Sequence, residues 1–115
     1  MNQNLPFEVL RQLRAQGRTL ATAESCTGGL IGKLLTDVPG SSEVYMGGVI
    51  SYTNGVKHWL LGVSEDTLRV YTAVSRQTAH EMARGAREAV RADVGVSVTG
   101  LAGPDGDGTG RPIGL

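Results

Sequence analysis

Arg18 to Thr36 reads RTLATAESCTGGLIGKLLT, and the fold turns on how this stretch divides. Arg18 to Ala23 is small, apolar and β-branched, which predicts a short buried strand. Thr27 to Thr36 carries apolar residues at Leu30, Ile31, Leu34 and Leu35, which is helical spacing. Between them lies TAESCTGG, Thr22 to Gly29, with a carboxylate, hydroxyls, a thiol and paired glycines. A strand that turns straight into a helix exposes free N–H groups and the positive end of the helix dipole. Three readings of the turn stay open on these residues. One is a capped helix start, with Ser25 or Thr27 as N-cap and the glycines allowing close packing. Another is an anion-binding helix start. The third seats a nucleophile, Ser25 or Cys26, in a geometry like the nucleophile elbow of hydrolases, although G-x-S-x-G is absent. A P-loop fails at both ends: Thr27 stands where its first Gly would be, and Leu34 follows Gly32-Lys33 where Ser or Thr is needed.

Upstream, Leu5, Val9, Leu10 and Leu13 predict a helix over Leu5 to Gln16, with Gly17 as its C′ residue. Downstream, Asp37-Val38-Pro39-Gly40 ends the second helix, since Pro cannot continue the ladder. Tyr45 to Tyr52 (YMGGVISY) reads as a strand in which Gly47-Gly48 mark a bulge or a close approach. Asn54 to Leu61 (NGVKHWLL) reads as a short helix closed by Gly62, and Ser64 to Val70 as another, capped by Ser64. Ser75 to Arg91 is the longest predicted helix, with Ser75 as N-cap and a face of Ala79, Met82, Ala83, Ala86, Ala89 and Val90. Val94 to Val98 is a third strand. Gly100 to Gly110 is a glycine-rich loop, and Arg111 to Leu115 read as the start of a fourth strand. Alternating helices and short apolar strands predict an α/β layered domain. A chain that stops inside a strand predicts a domain cut short at its C-terminus.

The 115 residues suffice for one domain with a core and not for two. Eleven basic and eleven acidic side chains cancel, which argues against a nucleic-acid partner. Aromatics at 4% argue against stacking platforms for single strands. The single cysteine excludes an internal disulfide framework and fits a reducing compartment. No apolar run approaches the roughly 20 residues of a spanning helix, and the N-terminus lacks a secretory h-region. The expectation is a soluble cytoplasmic domain with no membrane partner. A homo-oligomer is left open.

A serine nucleophile needs a base. His80 falls mid-helix among charged residues and His58 adjoins Lys57 and Trp59; a Ser-His-Asp triad stays open, with packing as the competing reading and no specific signal for it. Lys57 is the other candidate, provided burial pushes its pKa down. Tyr52 at a strand end and Lys57 about one turn into the next helix would face one site; an exposed helical lysine is the competing reading. Cys26 beside a helix N-terminus would have a lowered pKa, though small buried cysteines are commonly inert. Thr99 ends a strand, where site residues of open α/β sheets collect. Ser41-Ser42 and the Gly100 to Gly103 run add hydroxyl and N–H groups on loops. Asp105-Gly106-Asp107-Gly108 looks calcium-like but lacks the rest of an EF-hand loop, and reads as a mobile or ligand-covering segment. No CxxC, HExxH or His cluster occurs, so no metal is expected.

The motifs AESCTGG, TDVPGSS, GGVISYTNGVK, LLGV, AVS and SVTGLAGPDG occur in this order. Together, from about Leu20 to the last residue, they resemble the CinA carboxy-terminal domain family, which contains the nicotinamide-nucleotide amidases. The resemblance implies a three-layer α/β/α sandwich with a mixed sheet. It implies hydrolysis of nicotinamide mononucleotide to nicotinate mononucleotide and ammonia, by a Ser/Lys mechanism with no cofactor. Its nucleophile matches Ser25, its lysine Lys57 and its tyrosine Tyr52. Its PGSS serine matches Ser42 and its TG-x-AGP threonine Thr99, as supporting hydroxyls. N–H groups from Cys26 through Thr27 and Gly28 to Gly29 would form an oxyanion hole. The same helix start, or the loop with Gly100 and Gly103, would receive the phosphate of a pyridine nucleotide. Gly55-Val56 departs from the family's usual acidic-Ala pair, lowering local helix propensity. The resemblance implies a further strand or two, a basic site residue and a terminal helix that these 115 residues do not include. A non-catalytic nucleotide-binding or regulatory domain and a Cys26-dependent hydrolase are the alternatives.

Overall fold

In a computed structural model, which describes residues 4–106 and 108–115, strand β1 (Leu20–Glu24) is buried along its whole length. It is the middle strand of three, between β2 (Tyr45–Ile50) and β3 (Val94–Val98). Both neighbours run parallel to it. The expected mixed sheet is therefore corrected for the described strands, which form a purely parallel one. A central parallel strand is covered on both faces, which is why its sequence is small and apolar.

Alternate residues of β1 serve two cores. Ala21 and Ala23 pack with Leu61, Val63, Met82, Ala86 and Ala92. This core lies under α3 (Asn54–Leu61), α4 (Glu65–Tyr71) and α5 (Arg76–Ala89). Leu20 packs with Leu10, Leu35 and Val44 on the other face, under α1 (Leu5–Ala15) and α2 (Leu30–Thr36). Helices on both faces of a sheet make the expected three layers.

The predicted helix α3 forms over the span read from the sequence, despite Gly55. Thr53 caps it by accepting from the Val56 N–H, and Gly62 closes it in the left-handed region. Ser64 and Ser75 cap α4 and α5 in the same way. The β2 pairing slips by one residue, from Leu20 opposite Tyr45 to Ala21 opposite Gly47. That is the anticipated bulge. Gly48 then allows a close approach: a Cβ there would stand 2.2 Å from Thr22 Oγ1.

Two further expectations are corrected. Helix α2 begins at Leu30 rather than Thr27, and its N-cap is Gly29 at φ 107° with no side-chain cap. Residues 111–115 form no strand. They fold back on the loop instead, where the Leu101 N–H donates to Leu115 O at 3.0 Å and the Gly114 N–H donates to Leu101 O.

Candidate active site

In a parallel sheet all carboxyl ends lie on one edge, and ligands bind in the crevice outside it. Here β1 runs out into Ser25, β2 into Ser51 and β3 into Thr99. Main-chain bonds continue past the strands and lock these exits together. The Ser25 N–H donates to Val98 O at 3.0 Å, and the Ser51 N–H donates to Glu24 O at 2.7 Å. From the β2 exit, the Thr53 cap starts α3 at once, so Lys57 lies one turn in and points back beneath the crevice.

Lys57 is only 1% exposed. Its Nζ donates to Ser51 O at 2.7 Å, to Tyr52 O at 3.3 Å and to Ser25 Oγ at 3.0 Å. All three partners are neutral oxygens. Burial disfavours the ammonium and pushes the Lys57 pKa below its ordinary value, while the neighbouring Cys26 acts in the opposite direction. In the neutral amine, the two carbonyls take the two N–H bonds. The remaining tetrahedral position, the lone pair, faces Ser25 Oγ.

A cleft of about 350 Å³ opens over this pair. Ser25, Cys26, Tyr52 and Lys57 line its floor, and Thr99, Gly100, Gly103 and Asp105 its wall. Thr99 Oγ1 donates to Ala73 O at 2.8 Å, so it ties that wall to the loop before α5. Of the acidic run in the Gly100 to Gly110 loop, Asp107 lies outside the described residues.

The structure thus gathers Ser25, Lys57, Cys26, Thr99, Gly100 and Gly103 around one cleft. Tyr52 is present mainly through its carbonyl, since its side chain is 73% exposed. Ser42 is a correction. It is exposed, in the 3-10 turn Ser41–Glu43 that leads into β2, whereas Ser51 follows the other end of that strand. Six extended residues separate those ends by about 20 Å. The histidines are not partners of Ser25: His58 Nδ1 donates to Val63 O at 2.7 Å, and His80 is exposed on α5.

The anion-binding helix start is also corrected. Glu24 supplies the anion there: its carboxylate accepts from the Ile31 N–H at 2.7 Å and the Gly32 N–H at 2.9 Å. Neither Ser25 nor Thr27 caps α2; Thr27 Oγ1 instead donates to Glu24 at 2.8 Å. The Gly28 N–H donates to Ser25 O at 3.0 Å, which withdraws it from the expected oxyanion donors. Sequence reasoning missed Glu24, Ser51 and Ala73. The available signal for Glu24 was a carboxylate ending a strand just before a helix start, and Ser25 and Thr27 hid it by looking like caps. Ser51 and Ala73 act through their carbonyls, which no side-chain pattern reveals.

The family model of the CinA C-terminal domain matches residues 2–115. A relative from Enterobacter agglomerans, "Nicotinamide-nucleotide amidohydrolase PncC", is 53% identical over 96% of this chain and 67% of its own length. A "CinA-like protein" from Gloeothece citriformis is 49% identical over 96% of this chain. The chain spans about a quarter of the length of several curated relatives, among them that one at 27%. Among solved structures, the competence damage-inducible protein A of Klebsiella pneumoniae superposes with a TM-score of 0.94 at 38% identity, over 97% of this chain and 70% of that one. The competence/damage inducible protein of Agrobacterium tumefaciens gives 0.90 at 44% identity, over 98% and 68%. On sequence and structure together, the chain belongs to the CinA C-terminal domain family.

Proposed function

We propose that the Ser25–Lys57 pair hydrolyses the carboxamide of nicotinamide mononucleotide, giving nicotinate mononucleotide and ammonia. The observation that carries this reading is the buried amine of Lys57, held by two carbonyls with its third direction on Ser25 Oγ at 3.0 Å. Neutral Lys57 takes the Ser25 proton as Oγ attacks the amide carbon. The resulting ammonium passes that proton to the departing nitrogen, and ammonia leaves an ester on Ser25. Water, deprotonated by the same amine, then releases the acid and restores the serine. The Cys26 N–H, one residue after the nucleophile, serves as an oxyanion donor, and each such donor is worth about 3 kcal/mol. With the α2 start occupied by Glu24, the Gly100 to Gly103 wall is the place for the ligand phosphate. The name printed for the Enterobacter relative supports the choice of substrate.

Ammonia release from nicotinamide mononucleotide tests this. Ser25→Ala and Lys57→Ala each abolish it, and normal turnover in either overturns the Ser/Lys assignment. Cys26→Ser retains it, because Lys57 Nζ reaches Ser25 Oγ rather than the thiol. Ligand binding in a calorimeter with no ammonia would select the non-catalytic alternative.

A further inference from the structure

We propose that Glu24 is a positioning residue for the nucleophile: its buried carboxylate pins the Ser25 to Gly29 turn to α2 and so holds Ser25 Oγ over Lys57. This rests on the Ser/Lys reading above.

Glu24 is 3% exposed, and among the described residues its carboxylate has hydrogen-bond donors but no ion pair. A buried carboxylate is tolerated only when its oxygens are filled. Here Oε1 accepts from Thr27 Oγ1 and the Ile31 N–H, and Oε2 accepts from the Gly32 N–H. Its main-chain oxygen accepts from the Ser51 N–H, with Ser51 Oγ at 3.4 Å from it. The residue before the nucleophile is therefore tied to the neighbouring strand exit, to the turn after Ser25 and to α2.

The form of the cap is the informative part. A seven-residue helix needs only a local Ser, Thr or Asp to satisfy its first turn. Instead α2 is capped from the end of β1, across the residues that carry Ser25. Successive strand residues point to opposite faces. Glu24 thus sits on the α2 side, away from the reacting atoms, and acts through the backbone it fixes. Bonds to a charged acceptor are the stronger kind, and Gln has the size but not the second acceptor. In Glu24→Gln, one amide N–H must face an N–H or hydroxyl donor of the turn. The turn then loosens beside a serine whose alignment is worth about a hundredfold per ångström.

The test is independent of the amide substrate. Ser25 of the full chain is sulfonylated with phenylmethanesulfonyl fluoride; the Oγ–S bond forms, fluoride leaves, and Lys57 takes the hydroxyl proton. The labelled site is located by mass spectrometry, and rates are taken per folded molecule. Glu24→Gln is expected to slow labelling by about tenfold to a hundredfold, with the pH midpoint set by Lys57 unchanged. The kcat for ammonia release falls by the same factor while KM stays. Thr27→Val, which keeps the carboxylate and removes one of its three donors, slows labelling less and covers the case in which Glu24→Gln does not fold. Labelling of Glu24→Gln at the parent rate overturns the proposal, as does a shifted pH midpoint, which would make Glu24 an electrostatic partner of Lys57. An unlabelled Ser25 in the parent overturns the Ser/Lys reading with it. Labelling without ammonia release overturns only the substrate.

Discussion

At its entry, β1 is tied to β3 by a surface clip; at its exit, it opens into buried polar machinery. The Thr19 N–H and Oγ1 both donate to Asp93 Oδ2, at 2.9 and 3.1 Å, and the Asp93 N–H returns a bond to Thr19 Oγ1. Every group there is near water, and a broken bond is replaced by hydration. At the exit, Glu24, Ser25, Ser51 and Lys57 are all buried and joined to one another by hydrogen bonds. Burying polar groups is unfavourable unless each is paired, and burying the lysine disfavours its charge. The entry stabilises the sheet. The exit gives up stability to set a serine hydroxyl beside an amine that is a base when neutral.

The sharpest way to break this comparison is to remove a member of the exit. Ser25→Ala or Lys57→Ala lowers ammonia release by about 10³-fold or more, with the fold retained by circular dichroism. Lys57→Arg does the same, because a guanidinium stays protonated. The core packed against β1 is tested next. Met82 is fully buried against Ala21 and Ala23, and Met82→Ala is expected to remove about 2–5 kcal/mol in denaturant titration, while kcat per folded molecule holds. The pH profile then isolates the lysine. Its pKa is lowered, and the base must be neutral, so turnover falls as pH drops through a midpoint below the ordinary 10.5. A midpoint at the ordinary value would mean Lys57 is not desolvated. The smallest effect belongs to the entry. The Thr19 N–H and hydroxyl hold Asp93 below the usual carboxylate range. Its contribution is present above the ordinary Asp pKa and fades as pH falls through the lowered one. Asp93→Asn therefore costs a slight loss in Tm near neutrality, flattens the acid dependence and leaves turnover unchanged.

What was legible differs in kind between elements. Helix α3 and strand β3 form over the residues predicted, because their signals are local: a cap and a left-handed glycine for one, a short apolar run for the other. The start of α2 was not legible. Thr27 looked like a cap, but its hydroxyl is drawn to Glu24, which also takes the Ile31 and Gly32 N–H groups of the first turn. Tyr52 looked like a side chain aimed at the site, whereas its carbonyl accepts from Lys57 Nζ and the residue is largely exposed. Ser42 sat in a matching motif, yet the direction of β2 carries it to the far edge.

By itself, then, the sequence determined the alternation of helices and strands, the two-faced burial of β1, and the residue types able to supply a nucleophile and a base. These follow from side-chain periodicity and from the conformational limits of glycine and proline. Only the tertiary structure decided that Lys57 is buried with its amine on Ser25, that Glu24 rather than a ligand fills the start of α2, and that Ser42 stands apart. Those facts depend on which ends of three parallel strands share an edge, and on main-chain oxygens that every residue carries alike.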